Sequence, residues 1–262
     1  MWEVFSQSDV RRKLTTMLVP ENITDFLNWF KEATEASWAN QDLLSFGYIE
    51  IHNAKWVGMK ESEIIDVERK YKIKFPPDYR EFLKILHTVN FKPKEDQFYF
   101  NWLEDDQIII DKLNWPYYSI SQDKIWLKSW GTIPDKEVEI LNRFNKWYED
   151  APKLIPVFGH RYVISEPCKS GNPILSVWGS DTIIYGWDLK HYLLSEFSEY
   201  MPEKLFEKFN DDEDGSYHIG YKDEIQDIFD SNWINSSYDG IPYWGELIRQ
   251  SEGCWRYQPR RK

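Results

Sequence analysis

Residues 61–87 read ESEIIDVERKYKIKFPPDYREFLKILH, and this stretch decides the fold. Its first half carries apolar residues at helical spacing, namely Ile64, Val67 and Tyr71. The amphipathic helix that this spacing predicts ends near Lys74, because Pro76 and Pro77 cannot continue it. Pro77 is tolerated in the first turn of a second helix, whose apolar residues are Tyr79, Phe82, Leu83 and Leu86. The sequence therefore predicts two short helices hinged at a double proline.

Three more helices are predicted on either side of this pair. Upstream, Thr24 is predicted to cap a helix whose apolar face consists of Phe26, Trp29, Phe30 and Ala33. Downstream, Pro134 is predicted to open a helix with four apolar residues on one side, Ile140, Phe144, Trp147 and Tyr148. Asp188 is predicted to cap a third, which bears Leu189, Tyr192, Leu193 and Phe197.

Short aromatic and β-branched runs after residue 87 predict strands. These runs are residues 98–102, 108–110, 154–158, 162–165, 174–178 and 182–187. Gly and Pro residues separate the last four runs, which is typical of a meander of antiparallel strands. Beyond Pro202 we expect an acidic loop, a short helix around Ile225 and Phe229, and turn-rich sequence to the end.

The order of these elements predicts the α+β fold class, with a central, mostly antiparallel sheet flanked by helices. We expect a helical N-terminal addition at residues 1–57, packed on the core. An α+β domain follows at residues 58–200, and a short acidic C-terminal extension occupies residues 201–262. A chain of 262 residues is long enough to bury a sizeable core.

The composition favours a protein partner and argues against nucleic acid. The formal net charge is -12, from 32 Lys and Arg against 44 Asp and Glu, whereas binding to a phosphate backbone needs a basic face. An acidic chain attracts a basic partner instead. No run of about 18 apolar residues offers a membrane span. Residues 1–8 show no basic segment leading into an apolar stretch, so we expect no export signal there. We therefore expect a cytoplasmic protein, with Cys168 and Cys254 as ordinary thiols.

The sequence motifs of common enzymes are missing from the chain. It contains no Gly-x-Ser-x-Gly elbow, no phosphate-binding Gly-rich loop with Lys and no His-Glu-x-x-His helix. A triple of Ser180 or Cys168 with His160 and Asp181 can be assembled only by assuming a fold, and such triples arise by chance. The five His residues show no zinc-ligand spacing. We expect no catalytic residue, no cofactor and no metal site.

An acidic segment at residues 210–215 leaves one alternative open. Asn210, Asp212, Asp214 and Gly215 match positions one, three, five and six of a calcium-binding loop. The twelfth position is Tyr221, whereas such a loop needs a Glu there to bind calcium through both carboxylate oxygens. A solvated turn is therefore favoured over a calcium site.

Three stretches together resemble the SUKH superfamily, which includes fungal cell-wall-assembly regulators and many bacterial immunity proteins. They are residues 61–87, LIPVFGHRYVI at 154–164 and ILSVWGSDTIIYGWDLKHYL at 174–193. The strongest mark is Phe75-Pro76-Pro77-Asp78-Tyr79 and the helix after it. The resemblance implies an α+β fold and, for bacterial members, binding and neutralisation of toxin domains. It implies no catalytic residues.

Two groups of residues are candidates for binding the partner. Glu104, Asp105 and Asp106 form either a recognition edge for a basic partner or an ordinary acidic turn. The aromatic residues Trp178, Tyr185 and Trp187 belong either to the sheet core, to a protein interface or to a carbohydrate-binding platform. Because side chains alternate along a strand, some of these rings are expected to be exposed.

Three functions are consistent with the sequence. The first is a non-enzymatic immunity protein that neutralises a bacterial toxin domain by direct binding. The second is a regulatory or scaffolding adaptor like the fungal members. The third is a carbohydrate-active hydrolase that uses paired carboxylates beside tryptophans.

Overall fold

The computed structural model of the chain describes residues 18–40, 52–90, 100–210, 217–226, 228–229, 241 and 243–251. Cys254 and most of the acidic segment at residues 210–215 lie outside these ranges. The α-helices described over their whole length are α1 (Ile23–Asn40), α2 (Glu61–Tyr71), α3 (Pro77–Leu86), α4 (Asp106–Gln122), α5 (Glu137–Glu149), α6 (Leu189–Glu196) and α7 (Gly245–Gln250). The strands are β1 (Trp56–Val57), β2 (Thr88–Val89), β3 (Leu154–Pro156), β4 (Arg161–Ile164), β5 (Ile174–Trp178), β6 (Asp181–Gly186), β7 (Phe206–Asn210) and β8 (Tyr217–Tyr221).

The two helices hinged at the double proline form as predicted. Helix α2 ends at Tyr71, three residues earlier than expected, because Lys72 adopts the left-handed conformation with φ 52°. The backbone N–H of Lys72 still donates to the Glu68 carbonyl, which satisfies one of the last free carbonyls of the helix. Helix α3 begins at Pro77, where the fixed φ of proline suits the first helical position.

Strands β3 to β6 form one antiparallel sheet in chain order, so the predicted meander is confirmed. Every residue of β3 and β4 is buried, as are four of the five residues of β5. Burial on both faces explains why these strands carry near-continuous apolar runs, with little alternation of apolar and polar residues. Two smaller antiparallel pairs, β1 with β2 and β7 with β8, complete the strands of the described residues.

Helices cover both faces of this four-stranded sheet, and the fold class is α+β. On one face, Ile155, Val163 and Ile174 pack in a cluster with apolar residues of α1, α2, α3 and α6. On the other face, Tyr162 and Leu175 pack in a second cluster with apolar residues of α4, α5 and α7. The sheet therefore lies between two hydrophobic cores.

The C-terminal residues contribute to both cores. Leu205, Ile225 and Phe229 are buried in the first cluster, and Trp244 and Ile248 are buried in the second. Residues 223–226 and 228–229 are helical, which confirms the short helix predicted there. Hairpin β7–β8 and helix α7 occur where the sequence predicted only loops and turns.

Four predictions of local structure were wrong, and one of them is the start of α5, which begins at Glu137 and not at Pro134. Residues 108–110 form no strand but lie in the first turns of α4, which begins after Asp105 caps it. Of the strand predicted at 98–102, residues 100–102 are described, and they form no strand. Helix α1 is capped by Asn22, whose side chain accepts from the N–H groups of Thr24 and Asp25 at 2.9 and 3.2 Å, so Thr24 lies inside the helix.

Candidate partner-binding surface

The three acidic candidates lie at the start of α4 and do different things. Asp105 is the N-cap, because its side chain accepts from the Gln107 N–H at 2.8 Å. Asp106 accepts hydrogen bonds from Lys70 and, at 3.1 Å, from the Tyr71 hydroxyl. Both bonds favour the charged carboxylate and lower the pKa of Asp106. Glu104 lies half-buried beside them.

The three aromatic candidates differ sharply in exposure. Trp178, the last residue of β5, is 61% exposed, whereas Trp187 is only 6% exposed and belongs to the core. Tyr185 is half-buried, and the guanidinium carbon of Arg161 lies 3.6 Å from the centre of its ring. Of the three rings, Trp178 is therefore the one that a partner can reach most fully.

Helix α4 joins the acidic turn to Trp178. Its exposed face carries Asp106, Gln107, Ile110, Asp111, Asn114, Trp115, Tyr118 and Gln122, with Asp123 directly after the helix. Trp115 is 36% exposed and Tyr118 is 53% exposed. At 1.5 Å per residue the helix spans about 25 Å, which is the scale of a protein interface. We call this face together with Glu104, Asp105 and Trp178 the α4 surface.

Trp178 and Trp115 meet at the far end of the α4 surface. Their ring centres lie 5.7 Å apart with the planes tilted by 51°. The indole N–H of Trp115 donates to the Val177 carbonyl at 3.3 Å, which fixes this ring against the end of β5. Because one indole is held by a hydrogen bond and the other projects from a strand end, the pair is a preformed aromatic feature.

Two hydrogen bonds from backbone N–H groups of the hairpin turn after Trp178 to side chains connect this turn to the end of α4. Gly179 N–H donates to the Ser119 hydroxyl at 2.7 Å, and Ser180 N–H donates to the Asp123 carboxylate. Gly179 has φ +60°, a conformation that favours glycine at the first position of a two-residue hairpin loop. The turn and the end of α4 therefore hold each other in place.

A buried polar cluster lies beneath Trp178. Arg161 donates to the Ser176 hydroxyl at 2.7 Å, and its Nε lies 3.6 Å from a carboxylate oxygen of Glu196. His160, whose ring centre lies 5.7 Å from that of Trp178, also contacts Arg161. Burial, together with the charges of Arg161 and Lys112, lowers the pKa of His160 to about 4. The imidazole is therefore neutral at pH 7.

In the chance catalytic triple, Cys168 and His160 have different neighbours. The thiol of Cys168 lies 3.6 Å from the Phe75 carbonyl, while His160 contacts Arg161 and Trp178. The backbone of Ser180 is bonded to Asp123. Among the described residues, no group of three or more His, Cys, Asp or Glu side chains is arranged to hold a metal ion. The segment considered for calcium lies almost entirely beyond them.

Asp111, Trp115 and Tyr118 were not predicted from the sequence as partner-binding residues. Their spacing could have identified them. Asp111 and Trp115 are four residues apart, and Trp115 and Tyr118 are three residues apart, which is the spacing of one helix face. Assigning residues 108–110 to a strand concealed it.

Within the described part of the chain, no helix has both the length and the apolar composition needed to cross a membrane. Comparison of the chain with protein-family models, with curated proteins and with solved structures finds no match.

Proposed function

We propose that this chain is a non-enzymatic protein-binding module of the SUKH type. In this proposal it acts as a cytoplasmic immunity protein that neutralises a bacterial toxin domain by occupying its surface. The resemblance of residues 61–87, 154–164 and 174–193 to the superfamily motivates the assignment. The packing of the double-proline helices on the antiparallel meander is compatible with the α+β fold that the resemblance implies.

The observation that carries the proposal is the continuous α4 surface. It combines carboxylates with exposed aromatic rings, and aromatic residues are enriched among the anchors of protein interfaces. Asp106 is already paired with Lys70, but Asp111 and Asp123 add negative charge farther along the same helix. A basic partner would be attracted to this side, and the net charge of -12 strengthens the attraction over longer distances.

Co-expression tests the proposal directly. Toxin domains encoded beside the gene would be expressed in cells with and without this chain, and growth would be measured. We expect the chain to restore growth against one of these domains. Failure to rescue growth against any of them, with the chain present as folded protein, would contradict the proposal.

Two matched pairs of variants locate the interface on the α4 surface. Trp178→Ala is compared with Ile219→Ala, since these side chains are 61% and 63% exposed and Ile219 lies on β8 in the C-terminal hairpin. Asp111→Lys is compared with Glu207→Lys on β7. We expect the α4-surface variants to lose rescue and slow association, while the hairpin variants keep both. Equal effects within each pair would remove the α4 surface from the proposal.

A further inference from the structure

We propose that the Trp115–Trp178 pair receives an arginine side chain of the protein partner. This inference rests on the proposed function and narrows it from a surface to one contact. The first observation is geometric. Two indole rings with centres 5.7 Å apart, one of them 61% exposed, offer aromatic surface over which a planar cation can lie. A guanidinium group within about 6 Å of a ring centre is attracted by the negative face of the ring.

Three carboxylates occur at neighbouring positions of the hairpin and of the helix. Asp181 is the cross-strand partner of Trp178, so the two side chains lie on the same face of the sheet with their Cβ atoms about 5 Å apart. Asp123 is bonded to the turn between them. Asp111 lies one helical turn before Trp115 and accepts from Gln107 at 2.8 Å. A cation over the Trp178 ring would therefore have the Asp181 carboxylate on the same face of the sheet.

Two basic residues, Arg161 and Lys112, also lie near this pair. Arg161 is 9% exposed, and Ser176, Glu196 and the ring of Tyr185 surround its guanidinium. Lys112 is half-buried, and its positive charge contributes to the lowered pKa of His160. His160 is neutral at pH 7, as argued above, so the ring beside Trp178 carries no positive charge.

The chemistry favours arginine over lysine. A guanidinium is planar, is more weakly hydrated than an ammonium group, and can stack on an indole while donating to carboxylates at its edge. The site offers both an aromatic face and, at Asp181 and Asp123, acceptors beside it. Lysine would meet the charge of the site but not its flat shape.

A peptide titration tests the contact without knowledge of the partner. The full chain, labelled with ¹⁵N, is titrated at low salt with an acetylated Gly-Arg repeat peptide, with its lysine analogue and with its citrulline analogue. Citrulline keeps the shape of arginine but carries no charge. The indole N–H signals of Trp115 and Trp178 are followed by NMR and assigned from the signals that disappear in Trp115→Phe and Trp178→Phe.

We expect the arginine peptide to shift both signals saturably, the lysine peptide to bind more weakly, and the citrulline peptide to have no effect. Trp178→Ala should weaken binding of the arginine peptide about fivefold or more. Asp181→Asn, a milder change at an exposed position, should weaken it about twofold to threefold. Ile219→Ala should bind like the parent chain.

Three results would overturn the contact. They are equal shifts with the citrulline peptide, unchanged affinity in Trp178→Ala, or shifts of the same signals by a glucan oligosaccharide in place of the arginine peptide. The last result would assign the pair to carbohydrate binding. None of them bears on growth rescue, so failure of this inference can be told apart from failure of the proposed function.

Discussion

The hydroxyl group of Tyr79 donates to the carbonyl oxygen of Pro156 at 2.6 Å, which ties helix α3 to strand β3 across 77 residues of chain. The same hydroxyl accepts from the indole N–H of Trp102 at 3.0 Å. Tyr79 is 1% exposed, and this burial raises the pKa of its hydroxyl well above the ordinary value. Three distant parts of the sequence therefore meet at one buried oxygen atom.

Removing this oxygen should destabilise the fold. In Tyr79→Phe the indole N–H of Trp102 and the Pro156 carbonyl lose their partner while remaining buried. We expect the free energy of unfolding to fall by about 2 kcal/mol, since leaving buried polar groups unpaired carries a desolvation penalty of that order. Urea denaturation measures the change. Tyr118→Phe, at a 53% exposed position, should change it by less than about 0.5 kcal/mol, and equal effects would contradict the expectation.

Truncation of Trp187 should destabilise the fold much more than truncation of Trp178. Trp187→Ala should lower the free energy of unfolding by about 4 kcal/mol, because this ring is 6% exposed and a cavity would remain. Trp178→Ala should lower it by less than about 1 kcal/mol, since most of that ring already contacts solvent. Thermal and urea melts of both variants provide the measurement. A large loss for Trp178→Ala would indicate a structural role and weaken the proposed interface.

Gly58 should not tolerate a side chain. A Cβ atom built there would lie 1.8 Å from the carbonyl oxygen of Lys84, which is backbone and cannot rotate away. Helix α3 would have to shift and disturb the 2.8 Å bond between Met59 N–H and the Leu83 carbonyl. We expect Gly58→Ala to cost about 3 kcal/mol of stability. Val57→Ala, at the adjacent 43% exposed position, is the control, and similar melting of the two variants would refute the close approach.

The stability of the fold should depend on pH through His87. The Nε2 atom of His87 accepts from the backbone N–H of Trp102 at 2.8 Å, and burial lowers the pKa of His87 from 6.5 to about 4. Between these values the unfolded chain binds a proton that the folded chain does not, so stability rises with pH in this window. The contribution is fully present above pH 6.5 and is lost as the pH falls towards 4. Its slope is about 1 kcal/mol per pH unit between pH 6 and pH 5.

A glutamine at position 87 separates this titration from the hydrogen bond. The side-chain amide oxygen in His87→Gln can accept from the backbone N–H of Trp102 but does not titrate. We expect urea melts at pH 7, 6 and 5 to show a slope smaller by the contribution of one proton. Some pH dependence should persist through His160 and His191, whose pKa values burial also lowers to about 4. An unchanged slope in His87→Gln would contradict the prediction.

The parts of the fold that could be predicted are those where local sequence and tertiary packing agree. Strand β5 begins at Ile174 and ends at Trp178 as predicted, because Pro173 and Gly179 bound a β-branched run that packs on both sides. Helix α3 begins at Pro77 for the same kind of reason. Asp188 caps α6 as predicted, accepting from the His191 N–H at 2.8 Å.

The errors lie where tertiary packing overrides local propensity. Three consecutive isoleucines at 108–110 favour a strand, but Asp105 caps a helix before them and only Ile109 is fully buried. Pro116 inside α4 further disguised the helix, since proline usually ends one. The Trp115–Trp178 contact joins residues far apart in sequence, and no local pattern specifies such a contact.

Because helices enclose the sheet on both sides, the residues that stabilise the fold are largely distinct from those that a partner can contact. The residues that stabilise the fold are buried between the sheet and the helices, whereas Asp111 and Tyr118 are exposed on α4. Such an arrangement makes the scaffold evolvable, because substitutions on the outer side of α4 can retarget recognition while the melting temperature barely moves. Under the proposed function, binding of an altered toxin domain would then require only a few surface substitutions.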